Sequence, residues 1–468
     1  LATWRAGWQG WREHLVLGVG MENFNIVFNK NFPTIIYEDE GSQVWFDRAH
    51  NVIFDRGVTT GALGLALYLV FLFYPVWLFF KVYRDDPKKR NGAIIFLALI
   101  IAYFIQDLFI FETIVTYVLL FFTMAFFAAS VLPKDAPAPA PSGKLAYGII
   151  AVIYAVLLGP VLWTVNILPA RANLTAAAAL RIEEKAENFF PITEQYKKTL
   201  ELGTYGKKEY RVKYIDFVGW QLANLGTVSE AVKPVVADID NQVALQLAEY
   251  PYDAKNYLVA MRHYNYTNAI DPATVIQRLE KALSFFEKLK NLTPSRPHVY
   301  QEAGYSHLYL ARYYKEQNQL DLSDEHFKIA EAMFNQTVAL NPRVTESFRN
   351  LIMLYFSLGQ EDKVEETIKK MKEVKVLGTD DRDYASLSDL AKSSNGFRTV
   401  EYLSLERLKL NESNVNAWID LALSYAYRGQ KAKAIETANK IKSFGDAYIS
   451  QVETFIKNLN SGVYNQKR

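Results

Sequence analysis

The chain of 468 residues is long enough for more than one domain, and its 52 basic and 50 acidic residues leave a formal charge of only +2. A near-neutral chain without a basic stripe gives no electrostatic reason to expect nucleic acid as a partner. Cysteine is absent, which excludes disulfides, a thiol nucleophile and cysteine-ligated metals. Almost all of the strongly apolar sequence lies before residue 171, so the composition predicts an apolar N-terminal part and a polar C-terminal part.

The first residues predict a helix lying at a membrane surface. An apolar stripe recurs there at helical spacing, with Arg5 and Arg12 pointing elsewhere. The stripe consists of Trp4, Trp8, Trp11 and Leu15. The Gly-Val-Gly that follows, residues 18–20, predicts a turn, because no strand precedes it and it lacks the third glycine of a dinucleotide-binding loop. Since the chain opens at Leu1 inside this segment, we expect it to be the C-terminal portion of a longer protein.

A histidine precedes the first long apolar run. If one helix is continuous through this segment, His50, Gly57 and Gly64 are seven residues apart and fall nearly on one line, with Gly61 beside them. Glycines at this spacing let a second helix approach closely within lipid. Periodicity leaves two interpretations equally open: His50 at the outer mouth of a cleft between helices, or an interfacial side chain above glycines that serve packing alone.

Four segments are long enough to cross a hydrocarbon core of about 30 Å, which takes roughly 20 apolar residues. They are 58–83, 92–111, 113–132 and 145–168. The connection KVYRDDPKKRN between the first two is rich in Lys and Arg, which predicts that it is cytoplasmic. Alternation then places the Pro/Ala linker 133–144 inside, and both the His50 segment and everything after residue 168 outside.

One acidic residue lies near the outer end of the second span. A carboxylate is costly there unless it is paired or hydrated, so Asp107 is expected either to meet an arginine across the cleft or to reach interfacial water.

The polar C-terminal part contains an internal repeat. Residues 345–371 align with residues 415–441, and the 70-residue offset leaves room for one weaker copy near Asp381. The matched pairs are Phe348 and Trp418, Leu351 and Leu421, Tyr355 and Tyr425, Gly359 and Gly429, and Val364 and Ala434. The pattern resembles the tetratricopeptide repeat, a helix-turn-helix unit of 34 residues. The many tyrosines of this part are expected to fill the seams between helices rather than to stack on carbohydrate.

These patterns predict an all-α fold of polytopic transmembrane helices followed by a tetratricopeptide-like α-solenoid. The expected domains are an extracytoplasmic loop over 1–57 with the interfacial helix and His50, four transmembrane helices over 58–170, and an extracytoplasmic helical repeat domain over 171–468.

The segment that contains the histidine also resembles a known family. The pattern HN-x9-GxxGL over residues 50–65 is similar to the motif of the O-antigen ligase family, which includes related O-antigen polymerases and bacterial protein O-oligosaccharyltransferases. The preceding GVGMENF and the Trp/Arg helix also resemble what precedes the motif in that family. The resemblance covers about residues 1–132.

The resemblance implies transfer of a glycan from an undecaprenyl-diphosphate carrier to an acceptor hydroxyl, at the outer side of the bacterial inner membrane and without metal or other cofactor. The acceptor would be a glycan, a lipid or a protein, as in lipopolysaccharide and other cell-envelope polysaccharide synthesis. The repeat domain is expected to bind a protein partner or to position the acceptor.

This chemistry requires a base for the acceptor proton and cations for the departing diphosphate. His50 is the predicted base and Arg48, two residues away, the first candidate for the diphosphate, with Asn51 or Asp47 orienting the imidazole or the donor. The further candidates for substrate binding are Arg5, Arg12, Arg56 and Asp107.

Two alternatives stay open at this point. A polymerase that joins glycan repeats uses the same donor and differs only in its acceptor. A non-enzymatic scaffold would use the spans to anchor a protein-binding repeat domain, and His50 would have no chemical role.

Overall fold

The structure is a computed structural model, and every regular element in the part of the chain that it describes is helical, which confirms the all-α prediction. The described residues are 1–38, 44–84, 87–131, 144–225, 230–378 and 380–465. The predicted Pro/Ala linker lies outside them, apart from its last residue. The chain forms two compact units: unit 1 consists of residues 1–36 and 43–299, and unit 2 of residues 37–42 and 300–468.

Unit 1 begins with two short helices and three longer apolar ones. They are α1 (Ala2–Glu13), α2 (Phe24–Lys30), α3 (Val52–Tyr83), α4 (Pro87–Asp107) and α5 (Ile114–Val131). Phe24 and Phe28 of α2 are fully buried in a cluster with Val58 of α3. A second apolar cluster joins α3, α4 and α5, with Phe96 and Phe127 stacked at its centre.

Within the residues that the structure describes, three helices are long and apolar enough to cross a membrane: Val52–Tyr83, Arg90–Asp107 and Tyr147–Arg181. The apolar helix Ile114–Ser130 is shorter and lies at the lower end of the roughly 17–25 residues that a span requires. The second predicted span extended too far, because its helix ends at Asp107.

The last apolar helix does not end at Leu168 as predicted. Helix α6 (Lys144–Leu162), a π-helical turn (Trp163–Ile167) and α7 (Leu168–Arg181) follow one another without a break. Pro169 lies near the start of α7 and has no N–H group to donate. The π-helical turn before it changes the hydrogen-bond pattern at this point, so the helix continues although that N–H is missing.

The rest of unit 1 is a succession of polar helices. They are α8 (Phe189–Glu201), α9 (Lys207–Leu225), α10 (Lys233–Glu249), α11 (Ala254–Tyr266), α12 (Val275–Leu283) and α13 (Phe286–Leu292). Their core includes Tyr214, Val218, Ile239 and Leu222, so the first part of the predicted 171–468 domain is helical.

A buried arginine fastens the loop before His50 to these helices. The Arg296 side chain is fully buried, and its guanidinium lies 4.0 Å from the ring centre of Phe32 and 3.8 Å from that of Trp45. It donates hydrogen bonds to Asn29 Oδ1 (2.9 Å) and to the carbonyl of Val44 (3.2 Å). Burial lowers its pKa to about 9, so the group is still a cation at neutral pH and gains cation–π stabilisation from both rings.

Unit 2 consists mainly of paired helices. They are α14 (Pro297–Glu316, whose first residues belong to unit 1), α15 (Leu320–Leu340), α16 (Thr345–Ser357), α17 (Glu361–Glu373), α18 (Asp381–Ser393), α19 (Phe397–Leu410), α20 (Val415–Tyr427), α21 (Lys431–Ile441) and α22 (Ile449–Asn460). The two aligned segments become the helix pairs α16–α17 and α20–α21. The weaker copy near Asp381 becomes α18–α19, and Tyr384 and Leu387 of α18 are buried.

The same kind of turn joins the two helices of each pair. A residue with positive φ ends the first helix, and the amide of the next residue donates to a carbonyl five positions back, which is the C-terminal capping pattern that glycine and asparagine favour. The turn residues are Asn318 (φ 58°), Gly359 (φ 67°), Asn395 (φ 57°) and Gly429 (φ 73°). The repeat is therefore present from α14 onward.

Many tyrosines of the C-terminal part fill helix seams, as predicted, although Tyr205 and Tyr252 are exposed. Among those at repeat positions, Tyr257, Tyr264 and Tyr300 are buried, and Tyr309 and Tyr314 are half-buried.

Replacing Gly359 with alanine tests the turn. The added Cβ meets no atom within 4 Å, so the expected loss of about 1–2 kcal/mol in the free energy of unfolding comes only from the positive φ. Chemical denaturation followed by circular dichroism measures it.

Gly378→Ala is the matched control, because its Cβ also meets nothing and no positive φ applies. Its stability is expected to stay unchanged or to rise by up to about 1 kcal/mol. Equal losses in both variants would contradict the assignment of the turn.

Candidate active site

His50 lies at the rim of a small cleft beside the start of α3. Its backbone is left-handed (φ 52°) and its side chain is exposed. Phe46 and Phe111 contact the imidazole edge-to-face, with ring centres 5.8 and 5.2 Å away. A left-handed conformation is uncommon outside glycine, although histidine tolerates it better than most residues. Strain of this kind concentrates at functional sites.

The cleft brings three of the predicted site residues together. Arg48, His50 and Asn51 line it with Asp55 and Glu112. Its volume is only about 10 Å³, far below the roughly 300–1,000 Å³ of small-molecule sites. A glycan donor would therefore lie across this cleft rather than be enclosed by it.

Asn51 caps helix α3. Its Oδ1 accepts from the amides of Ile53 (3.0 Å) and Phe54 (3.2 Å), which is the N-cap arrangement. Its Nδ2 donates to the carbonyl of Leu108 at the end of α4 (3.0 Å). Since both ends of the amide are engaged, we assign Asn51 to holding the helix ends together instead of to the predicted orientation of the imidazole.

Arg48 is shared between two carboxylates. Its guanidinium lies 2.6 Å from Glu22 Oε1 and 3.5 Å from Asp55 Oδ2. Asp55 is largely buried and also accepts from the amide of Ala49 (3.2 Å), whereas the Glu22 side chain is 66% exposed. An exposed ion pair contributes only about 0–1 kcal/mol. An anionic ligand can therefore replace Glu22 on Arg48 at low cost.

Arg56 belongs to a second polar cluster, between α3, α4 and α5. Its Nη2 lies 2.5 Å from Glu112 Oε2 and 2.9 Å from the hydroxyl of Tyr117. Glu112 also accepts from the hydroxyls of Tyr103 (3.1 Å) and Tyr117. Because Glu112 already neutralises it, Arg56 is a poor candidate for the predicted diphosphate contact. Glu112 borders both clusters and joins them.

Asp107 neither pairs with an arginine nor reaches interfacial water, the two environments predicted for it. Only 1% of the residue is exposed, so it does not reach interfacial water. Its Oδ2 accepts from the hydroxyl of Tyr68 (3.2 Å), and no arginine pairs with it among the described residues. The nearest link is indirect, since Arg56 lies 5.1 Å from the ring centre of Tyr68. Both predictions for Asp107 are wrong because the tyrosine fills the space between carboxylate and arginine.

The remaining predicted substrate contacts stay apart from the cleft. The side chains of Arg5, Arg12 and Asp47 are exposed and do not line it. In the described part of the chain, none of the three forms a side-chain hydrogen bond or ion pair. Their roles as substrate contacts remain predictions.

The predicted continuous helix is wrong. Helix α3 begins at Val52, and Gly61 interrupts it with φ 69° and ψ −174°, a conformation that is essentially restricted to glycine. His50 lies before the helix, so His50, Gly57 and Gly64 do not share one helical line. The reasons are local: the Asn51 cap starts the helix after the histidine, and Gly61 permits the break.

The N-terminal segment fills this break. Residues 15–20 run beside Gly61, and their backbone satisfies groups that the interruption leaves without helical partners. The four hydrogen bonds are from Ala62 N–H to the Leu15 carbonyl (2.8 Å), from Leu63 N–H to the Val16 carbonyl (3.2 Å), from Val19 N–H to the Val58 carbonyl (2.9 Å) and from Gly20 N–H to the Thr59 carbonyl (2.9 Å). We call residues 15–20 the helix-break segment.

The three glycines thus have different neighbours from those predicted. A Cβ on Gly57 would lie 2.5 Å from the Trp11 ring, and one on Gly61 would overlap the backbone of Val16. At Gly64 the nearest obstacle is Thr60 of the same helix. The part of the chain that packs closely against Gly57 and Gly61 is the N-terminal segment, and not a second spanning helix.

Helix α1 is confirmed, but its apolar stripe is divided. Trp4 donates to the carbonyl of Ala49 (2.9 Å) and stacks on Phe54 with ring centres 5.7 Å apart. Trp8 is 46% exposed. Leu15 is also exposed and lies beyond the end of α1, in the helix-break segment. Half of the stripe therefore packs against α3 and positions the backbone next to His50.

Sequence reasoning missed the groups that contact the predicted site. They are Glu22, Phe46, Asp55, Phe111 and Glu112. One signal was available for the acidic ones: a cation placed beside an apolar run needs a counter-charge nearby. The sequence offers several acids for that role, and which one pairs with which arginine depends on the tertiary fold.

Comparisons with known proteins do not identify the chain. No protein-family model matches it, and no curated protein is similar to it in sequence. Among solved structures, a monomeric IFIT1 mutant with m7Gppp-AAAA has a TM-score of 0.40 at 11% identity and covers 95% of both chains. The human IFIT1 dimer with m7Gppp-AAAA has a TM-score of 0.27 at 14% identity, over 76% of this chain and 86% of the other. These similarities are too weak to bear on function.

Gly61→Ala tests the helix break. The substitution needs a glycine-only conformation, at a cost of about 1–3 kcal/mol, and it drives Cβ into the helix-break segment, for about 1–3 kcal/mol more. We expect a clear fall in thermal stability in detergent micelles.

The control is Gly159→Ala in α6, where the added Cβ meets no atom within 4 Å. A helix-interior alanine is expected to hold or raise stability. If Gly61→Ala is as stable as Gly159→Ala, the break does not exist in solution.

Proposed function

We propose that this protein is a membrane glycan transferase of the O-antigen ligase type, with His50 as its catalytic base. It moves a glycan from an undecaprenyl-diphosphate carrier to an acceptor hydroxyl at the outer face of the bacterial inner membrane. The observation that carries the proposal is the exposed imidazole of His50 in one cleft with Arg48, beside the ends of the apolar helices α3 and α4.

The proposed chemistry is a single displacement at the anomeric carbon. The imidazole accepts the proton of the acceptor hydroxyl, whose oxygen forms a new bond to the sugar as the bond to the diphosphate breaks. The electron pair leaves with the carrier diphosphate, and the Arg48 guanidinium stabilises that charge. The energy of the diphosphate bond drives the transfer, so the proposal needs neither ATP nor a metal.

The apolar helices support a location in a membrane. In the candidate span Tyr147–Arg181, none of the most apolar 18 residues is buried against the described part of the protein. Side chains of this kind on the outside of a helix are stable in lipid and unfavourable in water. In this arrangement His50 lies at the start of α3, where a lipid-linked diphosphate would meet the protein.

Replacing His50 with alanine is expected to lower glycan transfer about 100-fold or more, the usual contribution of a general base. The measurement uses the protein in lipid nanodiscs with an undecaprenyl-diphosphate-linked glycan and follows the transferred glycan on gels. Addition of one glycan indicates a ligase, and a ladder of products indicates a polymerase.

His14→Ala is the matched control, since His14 is also exposed and its side chain has no hydrogen-bond partner among the described residues. Its activity is expected to equal that of the unmodified protein. Full transfer by a well-folded His50→Ala variant would overturn the proposal and leave the scaffold alternative.

Replacing Arg48 with alanine is expected to lower kcat about tenfold or more, because the guanidinium acts on the leaving group as charge develops. Steady-state kinetics on the same donor measures this.

Arg181→Ala removes an exposed arginine outside the cleft and is expected to leave kcat unchanged. Equal effects of the two variants would show that net surface charge, and not the position of Arg48, matters for transfer.

A further inference from the structure

A polar cleft lies among the helices α8, α9 and α10 of unit 1. Its volume is about 380 Å³, which is within the roughly 300–1,000 Å³ that small-molecule sites occupy. Six of its eight lining side chains are charged or carry an amide: Lys197 and Glu201 of α8, Lys207 and Arg211 of α9, and Asp238 and Gln242 of α10. We call this site the α8–α10 cleft. It shares no lining residue with the cleft of His50.

A buried arginine is built into the wall of the α8–α10 cleft. The Arg211 side chain is only 6% exposed. Its Nε donates to Gln242 Oε1 (3.1 Å) and its Nη1 to Gln246 Oε1 (2.9 Å). Gln246 is buried in turn, and its Nε2 donates to Asn256 Oδ1 (3.0 Å). Neutral amides therefore fix the guanidinium in one orientation without cancelling its charge.

Part of the hydrogen-bonding capacity of this wall is unused. The contact of Arg211 Nη2 with Glu249 Oε1 is 3.5 Å long, beyond the roughly 2.7–3.2 Å of an ordinary N–H···O bond. Glu201 is exposed, and its carboxylate has no hydrogen-bond or ion-pair partner in the part of the chain that the structure describes. Lys197 and Asp238 form a partly exposed pair at 3.5 Å. Because such a pair contributes only about 0–1 kcal/mol, a ligand can come between its members at low cost.

The charges in and around the cleft cancel. Three cations line it, and three carboxylates lie in it or beside it: Glu201, Asp238 and Glu249. A phosphate or an acidic peptide would meet these carboxylates as well as the cations, and like charges brought together oppose binding. An apolar ligand would bury the charged groups without giving them partners. The cleft therefore suits a ligand that is neutral and polar over most of its surface.

A sugar meets these requirements. Each hydroxyl has one donor and two acceptor sites, so it can donate to a carboxylate and accept from a guanidinium or an ammonium group at once. Neighbouring hydroxyls on one ring can thus bridge groups of opposite charge in the cleft. Its two apolar lining residues, Leu200 and Leu245, offer a surface to the C–H groups of the ring.

We propose that the α8–α10 cleft binds a neutral saccharide. Arg211 Nη2 and the Lys197 ammonium donate hydrogen bonds to its oxygen atoms. Glu201 and Asp238 accept hydrogen bonds from its hydroxyls. The proposal goes beyond glycan transfer and does not depend on it, because the cleft is separate from that of His50 and binding requires no glycan donor.

The test applies the full chain in nanodiscs to an array of bacterial oligosaccharides, in which neutral, uronic acid-containing and phosphorylated members are displayed at equal density. We expect binding to neutral members. Lys197→Met with Glu201→Ala is expected to raise the half-saturating protein concentration about tenfold, because hydrogen bonds to charged groups are lost. The double substitution removes one positive and one negative charge, so the net charge of the protein stays the same.

The matched control is Lys213→Met with Glu187→Ala. Both residues are exposed, neither lines the cleft, and the same two charges are removed. Binding is expected to equal that of the unmodified chain. Melting followed by circular dichroism checks that each variant is folded. Arg211→Lys, which keeps the charge but not the forked donors, is expected to weaken binding as well.

Three results would overturn the proposal. They are binding to no neutral member of the array, binding to acidic or phosphorylated members alone, and an equal loss in the Lys213 and Glu187 control. His50→Ala is expected to bind saccharide as tightly as the unmodified chain. Failure of the saccharide proposal is therefore distinct from failure of the proposed transfer reaction.

Discussion

The hydrogen bonds between the helix-break segment and the two sides of Gly61 are the constraint on which the candidate site depends. An interrupted helix in an apolar setting leaves amides and carbonyls without partners, and each would cost several kcal/mol there. Residues 15–20 supply those partners. The same contacts place Glu22, two residues further on, beside Arg48. The break thereby determines the electrostatic surroundings of the cleft.

Two further contacts hold the segment that carries the histidine. Trp4 donates to the carbonyl immediately before His50, and Arg296 clamps the loop upstream through Phe32 and Trp45. A buried guanidinium is costly to desolvate, which is tolerable only where aromatic faces and hydrogen bonds compensate it. The loop before His50 is thus anchored to α1 at one end and to the polar helices of unit 1 at the other.

The glycines of α3 and the candidate arginines show which features of the site are predictable from the sequence. The glycine spacing correctly indicated close backbone approach at Gly57 and Gly61, but it named the wrong partner, because a segment earlier in the chain is the one that packs there. Distance along the sequence from His50 favours Arg48 over the other candidate arginines. Arg48 does line the cleft, whereas Arg56, only eight residues from Arg48, is neutralised by Glu112 of the turn after α4.

The sequence by itself determined the local properties: helices throughout the described residues, the apolar character of the first segments, and the repeat turns at Gly359 and Gly429. These follow from periodicity and from backbone preferences that act over a few residues. Only the tertiary structure decided the break at Gly61, the ion-pair partners of the arginines and the burial of Asp107 behind Tyr68. Each of these depends on groups far apart in the chain, and several sequence positions could have met the same physical requirement.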